Sequence, residues 1–353
     1  MVQPALTSLK ADIRDFALEE LEAVAAAAAQ PAYRARQVAQ WLYQRQVESF
    51  AAMTNLPLEL REYLNQHFKL TGLPATVVHD GSDGTRKLLL GLADGQAIES
   101  VIIPGAGRTT LCLSSQVGCG LGCDFCATAR MGLKRNLAVG EIVGQVIAAR
   151  RYLESGEQLT NYVFMGMGEP LANYERLVRA LKIMTSPWGM GISPRRITVS
   201  TVGLVPLIER LLADTAVNLA VSLHATTDQI RDRLAPINRR YPLAELLAAC
   251  RKLQLGRRRI TFEYVMLAGV NDSDTDARRL VKLMAPLRAK VNLICFNPFP
   301  GVPYRGSSRE RLQAFQAQLL RGNLTATIRE SRGRDIAAAC GQLRVEHERA
   351  LPT

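Results

Sequence analysis

Three cysteines crowd into eight residues, Cys119-Gly-Leu-Gly-Cys123-Asp-Phe-Cys126, a C-x3-C-x2-C spacing in a glycine-bearing loop. Thiolates this close in sequence can hold three irons of a 4Fe–4S cluster and leave the fourth iron without a protein ligand, open to a substrate or cofactor. A structural zinc site is the competing chemistry. It asks for a closed tetrahedron, usually built from two ligand pairs, and only Cys112 lies near enough in sequence to be a fourth ligand. The remaining cysteines, Cys250, Cys295 and Cys340, are scattered. An odd total of seven with no secretory pattern at the start argues for a reducing cytoplasm over a disulfide framework.

The elements around the loop give it a place. Short β-rich runs alternate with helical patterns from about residue 110: Thr110–Ser115, Tyr162–Met165, Ile197–Thr201, Asn218–Leu223, Ile260–Leu267 and Val291–Phe296, with helices such as Val139–Leu153 and Tyr174–Met184 between them. This alternation predicts an α/β fold with a parallel sheet wrapped by helices. Six units are two short of a closed barrel, so a partial, open six-stranded β/α barrel is expected, with chemistry on the loops after the strands. The cysteine loop follows the first strand. A seventh run, Leu324–Arg329, comes after the six. Before the barrel, residues 5–70 read as short helices punctuated by Pro31 and Pro57. Residues 72–104 read as β runs, Ala75–Val78 and Lys87–Leu90, around the turn cluster Asp80-Gly81-Ser82-Asp83-Gly84. The expected division is a helical domain at 1–70, a β-rich extension at 71–104, the barrel at 105–345 and a tail at 346–353.

Composition sets the outer limits. The 353 residues are 48% hydrophobic and 22% charged, ordinary globular values, and no apolar run approaches the length of a membrane span. The net charge of +12 is uneven: residues 1–100 hold nine Lys and Arg against twelve Asp and Glu, so the rest carries +15. Clusters at Arg195/Arg196, Arg239/Arg240 and Arg257–Arg259 suit an anionic partner, most simply nucleic acid, although a solvated basic surface would read the same way. Gly166-Met-Gly168-Glu169-Pro170 follows the second strand. As a dinucleotide fingerprint it is weak, since Leu171 stands where the third glycine belongs. His224, at the end of the fourth strand, fits a packed histidine or a ligand; His67, His79 and His347 have no supporting context.

Taken together, the cysteine loop with Phe125 before its last thiol resembles the radical S-adenosylmethionine (SAM) superfamily. The runs Ser114-Ser-Gln-Val-Gly118, Phe164-Met-Gly-Met-Gly-Glu-Pro170, Val221-Ser-Leu-His-Ala225 and Cys340-Gly-Gln-Leu343 narrow this to a resemblance to the RlmN/Cfr family of RNA adenine methyltransferases. Tyr33-Arg-Ala-Arg-Gln37, Trp41 and Met53-Thr-Asn-Leu56 are similar to that family's helical RNA-binding domain.

The resemblance implies a site. Cys119, Cys123 and Cys126 would hold the 4Fe–4S cluster. Gly168, Glu169, Ser200, Ser222, Leu223, His224 and Asn297 would bind SAM, two molecules per turnover. Cys340, Cys112 and Glu99 would be catalytic. Carbon 2 of adenine is electron-poor and does not attack a sulfonium methyl, but it accepts a carbon radical. The family's route is implied: Cys340 takes a methyl from one SAM, a 5′-deoxyadenosyl radical from the second activates it, and the methylene radical adds to the base. Glu99 matches the family's acceptor of the carbon-2 proton. Cys112 then attacks the Cys340 sulfur, releasing product and leaving a disulfide. The implied substrates are adenosine 2503 of 23S rRNA and adenosine 37 of some tRNAs, with an electron donor such as flavodoxin or ferredoxin. Rival readings are methylation at carbon 8, against which Pro170 stands where the carbon-8 type has Ala, a glycyl-radical activase, and a non-catalytic iron–sulfur or zinc RNA-binding protein. Cys250 and Cys295 are read as core.

Overall fold

The computed structural model describes residues 10–343. His347 and the tail expected at 346–353 lie outside the described residues. The chain starts with β1 (Ala11–Asp12), α1 (Leu18–Ala27), α2 (Tyr33–Ala39) running into a π-helical turn at Gln40–Arg45, α3 (Leu58–His67) and β2 (Phe68–Lys69), which pairs in parallel with β1. Leu21, Val38, Leu42, Leu60 and Leu64 form the buried apolar face. Arg14 is buried beneath them, donating from Nη1 to the Thr71 carbonyl at 2.7 Å and from Nη2 to the Val47 carbonyl at 2.9 Å. These helices dock on the barrel through Asp15, which accepts from the Gly140 amide at 2.7 Å, and through Glu20, paired with Arg179 at 2.9 Å.

An antiparallel meander follows: β3 (Ala75–Asp80), β4 (Arg86–Gly91) and β5 (Ala97–Gly105), continued by β6 (Arg108–Cys112). The turn cluster falls between β3 and β4 as the sequence predicts. β5 is not among the runs the sequence singles out, because Glu99, Ser100 and Pro104 break its apolar pattern; its burial comes from the barrel packed against it.

The barrel then runs through β7 (Gln116–Gly118), α4 (Ala127–Arg130), β8 (Leu133–Asn136), α5 (Val139–Arg150), β9 (Leu159–Phe164), α6 (Tyr174–Thr185), β10 (Ile197–Thr201), α7 (Val205–Asp214), β11 (Asn218–Ser222), α8 (Asp228–Leu234), α9 (Leu243–Lys252), β12 (Ile260–Met266), α10 (Asp274–Met284), β13 (Ala289–Cys295), α11 (Arg309–Arg321) and β14 (Ala326–Arg329). Its main sheet has ten strands in the order β14-β13-β12-β11-β10-β9-β6-β5-β4-β3. The six expected barrel strands, β6 and β9 to β13, are parallel neighbours, and the seventh run adds β14 in parallel. Every residue of β12 is buried, as befits a central parallel strand covered on both faces. A curved parallel sheet of this kind brings all its strand C-termini to one rim, where the loops meet.

Candidate active site

The cysteine loop leaves β6 through the short β7, which pairs antiparallel with β8 and returns the chain. That turn demands glycine at 118: its φ is +76°, and a Cβ there would stand 1.8 Å from the Gly132 carbonyl oxygen. Asp124 fixes the loop's far side, its amide donating to the Leu234 carbonyl at 3.1 Å and its carboxylate accepting from the Tyr304 hydroxyl at 2.5 Å. Phe125 lies edge-on to the His224 ring at 4.7 Å. All three thiols line one cavity with about 1000 Å³ of space free of atoms, its open mouth included. Burial pushes the Cys119 thiol up to about 11 and Cys123 well above its usual value, each thiol being raised further by its neighbours and by Glu169. Bare thiolates are therefore disfavoured here and need strong positive charge, which iron supplies. Among the described residues no three His, Cys, Asp or Glu side chains converge on one ion site. Three thiols from one loop, all lining one open cavity, fit a polynuclear cluster with an open corner better than the closed four-ligand tetrahedron of zinc.

The second wall is the end of β9. Gly168, with φ of +96°, crosses so close to Gln116 that a Cβ would sit 2.5 Å from the Gln116 side chain. Glu169 follows, buried in the cavity wall, its oxygens accepting from the amides of Leu171 at 3.0 Å and Val202 at 2.9 Å. Burial raises its carboxyl to about 7 against the pull of those bonds, so an incoming ammonium group would stabilise the ionised form. Ser200 and Ser222, 3.5 Å apart through their hydroxyls, line the same cavity, as does His224. The His224 backbone is left-handed at φ of +60°, and its Nδ1 accepts from the Val265 amide at 3.1 Å. Burial, with Arg231 nearby, pushes its imidazole down to about 3, so it is neutral with the proton on Nε2.

The structure brings Cys340 to this cavity across more than 200 residues of sequence. Its loop is pinned at both ends. Gly341 and Leu343 accept from the Ala127 amide at 2.7 Å and the Thr128 hydroxyl at 2.5 Å, directly after Cys126. Upstream, Asp335 accepts from the Ser82 amide at 2.8 Å and Asp83 from the Gly333 amide at 3.0 Å, so the β3–β4 turn latches the loop. Cys112 is buried at the end of β6, close enough to Cys340 for the two charges to interact; burial first, and Cys340 second, push it up to about 12.

Four predicted residues stand off the cavity wall: Cys112, and with it Leu223, Asn297 and Glu99. Leu223 is buried, its amide bonded to the Glu263 carbonyl at 3.0 Å. Asn297 holds the Ser331 hydroxyl at 2.7 Å. Glu99 is buried in an ion pair with Lys87 at 2.9 Å. Cys250 is buried as expected, whereas Cys295 is half-buried at the end of β13. The sequence reading also passed over Arg231, fully buried, whose guanidinium donates to the carbonyls of Val202 at 2.6 Å, Leu223 at 3.1 Å and Ser222 at 3.2 Å. It ties the ends of β10 and β11 together, and its charge opposes, without reversing, the burial that raises the Cys123 thiol. An Arg on an amphipathic helix gives no sequence signal of burial. Glu263 was missed too, though a lone acid inside an otherwise apolar strand run was the available cue.

Comparison with known proteins bears directly on this arrangement. Residues 113–281 match the Radical SAM superfamily, and residues 11–70 match the ribosomal RNA large subunit methyltransferase N-terminal domain. The dual-specificity RNA methyltransferase RlmN of Geotalea uraniireducens (strain Rf4) is 51% identical over 343 residues, 97% of this chain and 99% of that protein. The chain belongs to the RlmN family. The RlmN of Syntrophus aciditrophicus (strain SB) is 49% identical over 94% of this chain and 96% of its own length. A radical SAM methyltransferase from Sphaerobacter thermophilus superposes with a TM-score of 0.91 at 50% identity, covering 95% of this chain and 100% of that one. As an RlmN-family protein the chain is a radical-SAM methyltransferase, taking a 4Fe–4S cluster and SAM, and its thiol-lined cavity suits both.

Proposed function

We propose that the enzyme methylates carbon 2 of adenosine in RNA, at position 2503 of 23S rRNA and position 37 of some tRNAs, through a methylated Cys340. The observation that carries this reading is the arrival of Cys340 on the wall of the cavity that the Cys119, Cys123 and Cys126 thiols also line, with Cys112 in electrostatic reach of it. A simple cluster-bearing RNA binder has no use for two further thiols there.

The three loop cysteines hold the cluster and Glu169 takes the SAM ammonium, while Ser200, Ser222 and the neutral His224 flank the rest of the cofactor. Bound there, the cluster and SAM together supply a 5′-deoxyadenosyl radical that activates a methyl carried by the protein. Cys340 carries that carbon: its sulfur takes the methyl from SAM, and the sulfur-bound carbon later forms the bond to the base. Cys112 attacks the Cys340 sulfur, so that the sulfur–carbon bond breaks, the methylated base leaves and a disulfide remains. A small donor such as flavodoxin or ferredoxin would supply the electron for SAM cleavage, and the disulfide has to be reduced by two electrons before the next turnover. Glu99 serves as acceptor of the carbon-2 proton, and its ion pair with Lys87 has to open for that role. The target base leaves its stack to enter the barrel. The basic barrel domain and the helices at 1–70 hold the RNA mostly through phosphate and shape, with salt-sensitive affinity. The known relatives of the chain are named RNA methyltransferases, which supports RNA as the substrate class.

Mass spectrometry of rRNA and tRNA from a deletion strain tests the assignment. Loss of 2-methyladenosine at those two positions is expected. Loss at carbon 8 instead, or unchanged RNA, would overturn it.

A further inference from the structure

A polar row runs from Ser222, beside the proposed SAM site, across three strands whose polar residues have no role so far. Ser222, Glu263, Asn292 and Thr327 are successive register partners on β11, β12, β13 and β14. Within it, Asn292 Nδ2 donates to Glu263 Oε1 at 3.0 Å, and Thr327 Oγ1 donates to Asn292 Oδ1 at 2.6 Å. Glu263 is the acid of the row. It is 3% exposed and lines the cavity, and its second oxygen, Oε2, is buried without a hydrogen-bond partner. A buried carboxylate oxygen left without a donor is costly, so this one is held for a donor that arrives in the cavity.

The charged and titratable groups facing Glu263 come from three elements: Arg329 on β14, Lys290 on β13, and Cys340 on the loop after β14. Arg329, at the C-terminal end of β14, comes within 3.4 Å of the Met165 sulfur, beside Cys112, and its charge acts on Cys340, Cys112 and Glu263 alike. Cys340 also feels Cys126. Cys340 is exposed on the cavity wall, and as a thiol it has to give up its proton as the sulfur reacts.

We propose that Glu263 is the proton acceptor for the Cys340 thiol, with Arg329 as the counter-charge for the sulfur while the proton leaves. This rests on the reading of Cys340 as methyl acceptor. In the step, the S–H bond breaks and its proton goes to Glu263 Oε2. The freed pair forms the S–CH3 bond, the sulfonium–methyl bond of SAM breaks with its pair on sulfur, and S-adenosylhomocysteine departs.

Alkylation of Cys340 by iodoacetamide in the reconstituted, SAM-free protein, followed by peptide mass from pH 6 to 10, reads the proton transfer separately from methylation. A general base typically contributes about 10²-fold or more. Glu263→Gln is therefore expected to slow alkylation at pH 7 at least tenfold, and the deficit should close as the pH rises. A merely electrostatic Glu263 predicts the opposite sign, because removing its negative charge lowers the thiol and speeds alkylation. An equal or faster rate in Glu263→Gln overturns the proposal. Glu263→Asp, which keeps the carboxylate, should retain the shallow pH dependence; a profile as steep as that of the Gln variant would count against it. Should Glu263→Gln fail to fold, seen as lost cluster absorbance, the Asp profile alone decides. Wild-type protein with SAM should gain one methyl on Cys340. If it does not, the methyl-acceptor reading fails, whatever the alkylation profiles show.

Discussion

Replacing Cys112 by Ala separates a packing role from a catalytic one. The substitution removes one buried sulfur from the end of β6, where Cys112 is 7% exposed. A truncation of that size costs about 1 kcal/mol, or a melting shift of about 2 °C in a chain this long. The fold, the cluster and methylation of Cys340 should all survive. The thiol itself is held at about 12 by burial and by Cys340, partly offset by Arg329. At pH 8 roughly one molecule in 10⁴ then carries the thiolate, against about one in four for an unperturbed cysteine, so alkylation of Cys112 in the resting protein should be roughly a thousandfold or more slower than for a free thiol. Such a group contributes only once chemistry at Cys340 brings it a reaction partner. Without it, the adenine adduct on Cys340 has nothing to release it. Cys112→Ala protein purified from cells should carry RNA on Cys340, seen as a nuclease-sensitive, denaturant-resistant mass shift, and Cys112→Ala with Cys340→Ala should carry none. A single variant that turns over repeatedly and purifies free of RNA would refute the two-cysteine mechanism.

Three further outcomes are expected. Glu169→Gln keeps the side chain's size but loses a charge-assisted bond of about 2 kcal/mol to the SAM ammonium, so calorimetry should show SAM affinity falling by about thirtyfold with four irons per chain retained; undiminished affinity would remove Glu169 from the SAM site. Gly118→Ala places a Cβ on the Gly132 carbonyl, and the β7–β8 turn has to move, so iron incorporation on reconstitution should drop by more than half; full incorporation would show that the loop does not depend on that turn. Asp83→Ala removes the acceptor for the Gly333 amide, and limited trypsin digestion at Arg332 and Arg334 should accelerate severalfold, with no change expected if the β3–β4 turn does not latch the Cys340 loop.

Local rules carried the sequence reading far. The β/α alternation follows from hydrophobic period alone, and all six strands form within a few residues of their expected bounds. Cys119, Cys123 and Cys126 were legible because metal-ligand spacing is a property of one loop. Gly168 and Glu169 gained a role in sequence only through the family resemblance, since their glycine motif by itself is weak. Non-local placement was not legible. Nothing in the residues near Cys340 says that Ala127, Thr128, Ser82 and Asp83 hold its loop over the cavity, because those bonds join segments 200 or more residues apart. Register between β11 and β14 aligned Ser222, Glu263, Asn292 and Thr327 into one row, although each reads in its own strand as an isolated polar residue. The same holds for the shifts at Cys112, Glu169 and His224, all led by burial, which no window of sequence contains. Sequence by itself determined the element types, the cluster loop and the family, since these depend on neighbours along the chain. Tertiary structure decided which thiol meets which acid and which charge goes unanswered, because desolvation and hydrogen bonding depend on neighbours in space.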